Sequence, residues 1–135
     1  MRPIMWSLDL AGAYSSDLYL EGVSRMPKMD LIYTQELKEK LDGGDDFKFV
    51  MTLGEWEYRM TRIPGSMRIS TIEEALKTLD PKDEIVLYDS GPPCTASRIA
   101  CRILKARGYE RVRRYAGGLE EWASAGYPLE GESVG

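Results

Sequence analysis

The run Leu87-Tyr88-Asp89-Ser90-Gly91-Pro92-Pro93-Cys94-Thr95-Ala96-Ser97 gathers into one short stretch the residue types that can do chemistry. Ile85-Val86-Leu87-Tyr88 reads as a strand, Ser90 to Pro93 as a turn, and the residues from about Cys94 to Arg107 as a helix. In an open α/β sheet, ligands bind in the crevice beyond the carboxyl end of such a strand. A thiol in the first turn of the following helix meets unpaired N–H groups and the positive end of the helix dipole, which favour a thiolate and a bound anion. Cys94 is therefore the candidate nucleophile. Arg98, four residues on, adds positive charge on nearly the same face, and Asp89, Ser90, Gly91 and Thr95 are placed to line a substrate. Against this, Pro92 and Pro93 offer no N–H to an anion cradle, and a free cysteine packs as a small apolar residue more often than it reacts. Asp89 also has two readings: general acid or base toward a bound water or anion, or a turn carboxylate that accepts nearby N–H bonds.

Composition narrows the chemistry further. The chain has 135 residues, 43% hydrophobic and 30% charged, which is the make-up of one ordinary globular domain. Its formal charge of −4 gives no electrostatic reason to expect nucleic acid as a partner. With 0 histidines, a Ser-His-Asp or Cys-His mechanism within the chain is excluded, and a metal site lacks its commonest ligand. Cys94 and Cys101 would lie roughly 10 Å apart along one helix, too far for a disulfide. Two free thiols fit a reducing compartment, so a cytoplasmic location is expected. No stretch is apolar enough for a membrane span, and, with Asp9 interrupting the mildly apolar start, no signal peptide is expected.

The elements that must position the loop follow from patterning. Residues 1–30 are expected to form an irregular N-terminal arm, with 31–135 as the folded domain and Met29 an alternative initiator. Thr34 is placed to cap a helix bearing Leu37 and Leu41, with Glu36 and Lys40 paired four apart and Gly43-Gly44 closing it. A strand over Phe47–Met51, a helix over Glu55–Thr61, a turn at Pro64-Gly65 and a strand over Met67–Ile69 come next. Ser70 with Glu73 is expected to form a capping box for the helix carrying Ile72, Ala75, Leu76 and Leu79. After the loop and its helix come a strand over Arg111–Tyr115 and a short helix over Leu119–Ala125. Strands alternating with helices through short links imply a small doubly wound parallel sheet of about five strands, covered by helices on both faces.

Two further stretches carry a resemblance. Ala116-Gly117-Gly118-Leu119-Glu120-Glu121-Trp122, with Ala125-Gly126-Tyr127-Pro128, is similar to the C-terminal signature of rhodanese-like domains. Glu55-Trp56-Glu57-Tyr58, with Ile63-Pro64-Gly65-Ser66, resembles their N-terminal signature. The resemblance spans about residues 31–130 and implies an α/β domain whose active members carry sulfur as a persulfide on one cysteine, passing it from thiosulfate or a similar donor to a thiol or cyanide. It places that nucleophile directly after the central strand, where this chain has Asp89. Met51, Leu53 and Arg62 stand where the family usually has Asp, Arg and His. Gly91-Pro92-Pro93-Cys94 resembles a subset with a second cysteine late in the loop. Phosphatases and arsenate reductases of the same fold need a longer cysteine-to-arginine spacing than the four residues from Cys94 to Arg98.

Two functions stay open on the sequence. One is a sulfurtransferase-type domain that carries sulfane sulfur on Cys94 and needs no cofactor or metal. Its partners would be a small sulfur-containing anion or thiol acceptor. The other is a catalytically inactive module that binds a protein partner or small anion. Elsewhere the ordinary readings prevail. Cys101 belongs to the core, Trp6, Trp56 and Trp122 pack, and Met26, Met29, Met51 and Met60 fill gaps. Arg111, Arg113 and Arg114, with Lys105 and Arg107, guard a solvated strand edge, and Gly117-Gly118 allows a tight backbone passage.

Overall fold

The protein was analysed as a computed structural model, in which residues 30–134 are described. The expected arm over residues 1–30, with Trp6, Met26 and Met29, lies outside them except for Asp30. The elements in chain order are α1 (Thr34–Asp42), β1 (Lys48–Met51), α2 (Glu55–Met60), β2 (Met67–Arg68), α3 (Ile72–Thr78), β3 (Ile85–Tyr88), α4 (Ala96–Ala106), β4 (Val112–Tyr115) and α5 (Gly118–Ser124). All pairings in the sheet are parallel, in the order β2-β1-β3-β4. Among the described residues the sheet therefore has four strands rather than about five. The segment ahead of α1 reaches β4 through a single bridge, Leu31 to Arg114, too short to count as a strand.

The order follows from burial. All four residues of β3 are buried, so this strand needs cover on both faces and takes a central place. Val50, Ile85, Leu87 and Val112 pack with Ile72 and Ala75 of α3, with its C-cap Leu79, and with Ala100, Cys101, Ile103 and Leu104 of α4. On the other face, Phe49, Met51, Val86, Tyr88 and Tyr115 pack with Leu37 of α1 and Trp122 of α5. From β1 the chain steps outward to β2, then returns to β3 on the other side of β1. The crevice beyond the carboxyl ends of β1 and β3 is thus the switch point of the sheet. Thr52, just past β1, donates through both its N–H and its hydroxyl to the Tyr88 carbonyl, which knits the two strand ends together.

Helix ends agree with the sequence in kind but shift in detail. Tyr33, not Thr34, is the N-cap of α1, and the Thr34 hydroxyl bonds instead to Tyr115 Oη and Glu121. Glu36 pairs with Arg113, while Lys40 turns to Glu84 and Asp45, because charges from neighbouring elements outcompete the pair expected within the helix. The capping box of α3 falls one residue later than expected. Thr71 accepts from Glu74 N, and Glu74 Oε1 accepts from Ser70 N. At the end of α4, Gly108 takes φ +94°, letting Gly108 N bond to Lys105 O and Tyr109 N to Leu104 O, the paired bonds of a Schellman motif. Trp56 corrects its expected packing role, being 65% exposed.

Tyr88 ties the centre of the sheet to the loop before β2. Its hydroxyl accepts from Ile63 N at 3.0 Å and pairs with Ser66 Oγ at 2.8 Å. Tyr88→Phe leaves the buried Ile63 N–H unpaired and is expected to lower stability by about 1–3 kcal/mol in urea unfolding at neutral pH. Burial also raises the Tyr88 phenol from 10.0 to about 12. The stability tied to neutral Tyr88 is whole below pH 10 and is lost as pH rises toward 12, so the Phe variant should lose less stability across that window.

Candidate functional site

β3 ends in Tyr88, and the next residue, Asp89, is fully buried. Its carboxylate turns back into the loop. Oδ1 accepts from Gly91 N at 3.1 Å, and Oδ2 accepts from Ser97 N at 2.9 Å and from Ser97 Oγ at 2.8 Å. Ser97 Oγ in turn accepts from Arg114 Nε at 2.8 Å, and Arg114 Nη2 donates to the Cys94 carbonyl at 3.3 Å. Alternation along β4 puts Arg114 on the same face as the buried Val112, beneath α4. A buried carboxylate and a nearly buried guanidinium thus neutralise one another through one hydroxyl, and every lone pair the loop uses has a donor.

This network decides where α4 begins. Cys94 N donates to Gly91 O at 3.0 Å, closing a turn over Pro92 and Pro93. Thr95 is the N-cap, in an αR conformation and with no side-chain cap bond. The amide of Ser97 that a capping side chain would ordinarily satisfy is taken by Asp89 from outside the helix. Cys94 therefore lies in the turn ahead of α4, not in its first helical turn as the periodicity suggests, because the remote cap starts the helix later.

The expected site residues are brought together only in part. Asp89 and Gly91 meet through the carboxylate. Cys94 is half-buried on the same turn. Ser90 is exposed and contributes its carbonyl, which accepts from Glu120 N. Thr95 and Arg98 are exposed, and no hydrogen bond among the described residues joins their side chains to the loop. The amides of Thr95, Ala96 and Arg98, at the mouth of α4 beside Cys94, likewise meet no acceptor among the described residues. Of the residues that replace the usual family types, Met51 is core, Leu53 packs against it, and Arg62 pairs with Glu130.

Ser97 and Arg114 are the residues that sequence reasoning missed. Ser97 lies within the quoted stretch, but its role appears only when Asp89 folds onto it. Arg114 was expected on a solvated edge, and it is 9% exposed. Its neighbours Arg111 and Arg113 do pair at the surface, with Glu84 and Glu36.

α5 seals the loop from the other side. Leu119 N donates to Asp89 O at 3.0 Å and Glu120 N to Ser90 O at 2.9 Å. Gly118, at φ +61°, lets these backbones touch: a Cβ there would fall 2.4 Å from Asp89 O. The Glu120 side chain lies against Gly91, making this flank of the loop acidic.

The two thiols differ in kind. Cys101 lies on the buried face of α4, against the sheet, and burial pushes its thiol up to about 12. Iodoacetamide is expected to modify Cys94 in the folded protein and Cys101 only after denaturant is added, read by intact-mass spectrometry. Equal labelling of both in the native state would contradict the structure.

Comparison with known proteins adds a family. The description of the Rhodanese-like domain matches residues 33–125. The chain is 27% identical over 105 residues to the "Putative sulfur carrier protein YrkF" of Bacillus subtilis (strain 168), covering 76% of this chain. It spans about half, 54%, of that relative's length. The BH2092 protein of Bacillus halodurans has a similar fold, with a TM-score of 0.69 and 21% identity over 87% of this chain and 86% of that one. The Alr3790 protein of Anabaena sp. gives a TM-score of 0.67 and 26% identity, over 76% of this chain and 94% of that one.

Proposed function

Since the chain belongs to the rhodanese-like domain family, we propose that it handles sulfane sulfur and carries it as a persulfide on Cys94. The observation behind this reading is the setting of that thiol. It is half-buried on the loop beyond the switch point, one residue before the N-cap of α4, beside amides that no acceptor among the described residues occupies. A helix mouth of this kind favours the thiolate and the persulfide anion alike. The name of the Bacillus subtilis relative points the same way.

The chemistry balances without a cofactor. The Cys94 thiolate attacks the outer sulfur of thiosulfate or a similar donor. A new S–S bond forms as the donor's S–S bond breaks, and sulfite leaves with the electron pair. A thiolate acceptor, or cyanide, then attacks the outer sulfur of the persulfide, and the Cys94 thiolate is released. Asp89 is not the nucleophile; its carboxylate holds the loop from below.

The test is thiosulfate loading followed by cyanide release of thiocyanate. Cys94→Ser is expected to fall to background, while Cys101→Ser, assayed where it is folded, keeps the wild-type rate. A second reading, a non-catalytic module that recognises a protein partner, is favoured by the Asp89 carboxylate filling the Gly91 and Ser97 amides. Wild-type protein that shows no transfer with thiosulfate or with a small persulfide donor would establish that reading over the first.

A further inference from the structure

Among the described residues, three arginines have no acidic or hydrogen-bonding partner: Arg98, Arg102 and Arg107. The others pair with carboxylates at the surface or, for Arg114, with the buried loop network. All three unpaired arginines lie on α4 or at its C-cap, and α4 contains no acidic residue. Arg98, Arg102 and Lys105 follow one another at i, i+4 and i+7, so they form a single stripe about 10 Å long along the flank of α4 beside the face that packs on the sheet, exposed at Arg98 and half-buried at Arg102 and Lys105. Lys105 is already paired with Asp30, so the open charge of this stripe is that of Arg98 and Arg102, with Arg98 at the Cys94 end of the helix; the third unpaired arginine, Arg107, lies at the far end. On the other side of the loop, Glu120 lies against Gly91. The loop is therefore flanked by negative charge on the α5 side and by uncompensated positive charge on the α4 side.

We propose that the sulfur acceptor is a thiol-bearing acidic protein segment that docks along α4, its carboxylates on Arg98 and Arg102 and its thiol delivered to Cys94. The transfer chemistry rests on the persulfide reading above; the docking does not. In the transfer, the partner's thiolate takes the outer sulfur of the Cys94 persulfide as the Cys94 S–S bond breaks. A short acidic segment suits this surface better than nucleic acid does, because a stripe about 10 Å long spans few phosphates and gives an extended backbone little to hold.

The probe is a dye-labelled peptide of six glutamates ending in cysteine. Controls are the same peptide with glycine and serine in place of glutamate, and a short single-stranded DNA. Binding is read by fluorescence anisotropy on the full chain, with sulfur transfer to the peptide thiol measured in parallel. The glutamate peptide should bind, and R98E/R102E should weaken it about tenfold or more, while K77E/K82E, an equal change of charge elsewhere, should not. Cys94→Ser should keep binding and lose transfer, so failure of the persulfide reading leaves the docking result standing. Equal binding by wild type and R98E/R102E, or an equal loss in K77E/K82E, would overturn the proposal. So would DNA binding tighter than the peptide and lost in R98E/R102E.

Discussion

Asp89→Ala should destabilise the protein by about 3–5 kcal/mol, one of the two largest effects expected of a single substitution at the site. The carboxylate accepts three hydrogen bonds, two from backbone amides that set the loop and the start of α4. Its removal also leaves Arg114, 9% exposed, as a buried charge whose only remaining partners are a hydroxyl and a carbonyl. Breaking a buried pair by removing one member is worse than removing both, since the survivor keeps its desolvation penalty. Asp89→Ala with Arg114→Met should therefore recover part of the loss, and the double-mutant cycle in urea measures the coupling. A loss below about 1 kcal/mol for Asp89→Ala would mean that the carboxylate is solvated and the loop is held by something else.

Gly118→Ala is expected to lower stability by about 2–4 kcal/mol and to disturb the loop that bears Cys94. Two effects add. The residue sits at φ +61°, where a Cβ is strained, and the new Cβ would lie 2.4 Å from Asp89 O and 2.7 Å from Gly91 N. Both are backbone atoms, so no rotamer change relieves the clash. The loop must move, and the bonds from Leu119 N and Glu120 N to its carbonyls stretch or break. For a domain of this size the melting temperature should fall by roughly 10–20 °C. Gly126 is the control. It has φ +79° but nothing within 4 Å of its Cβ position, so Gly126→Ala should show the smaller strain effect alone. Similar losses for the two variants would remove close approach from the explanation.

Much of the architecture is legible along the chain because its signals are local. The buried run at β3, the helical spacing in α3 and α4, and the turns at Pro64-Gly65 and Gly108 each act within a few residues. The cap of α3 is legible in type and falls one residue past Ser70, at Thr71, whereas at α1 no side chain caps the helix because the Thr34 hydroxyl goes to Tyr115 and Glu121 instead. Glu36 and Lys40 show the same competition, each drawn to a charge on another element. Trp56 was misread because an isolated aromatic residue carries no mark of the face it will take.

By itself, the sequence determined that the protein is an α/β domain of the rhodanese-like family, that its loop of interest lies between β3 and α4, and that no histidine of the chain can take part; its resemblance placed Asp89 where a nucleophile is expected. Only the tertiary structure decided what Asp89 does there. Ser97 is eight residues away and Arg114 another seventeen beyond it, and no pattern along the chain links them. They meet because parallel pairing sets β4 beside β3 and lays α4 over both, and because a buried carboxylate must find its donors within reach.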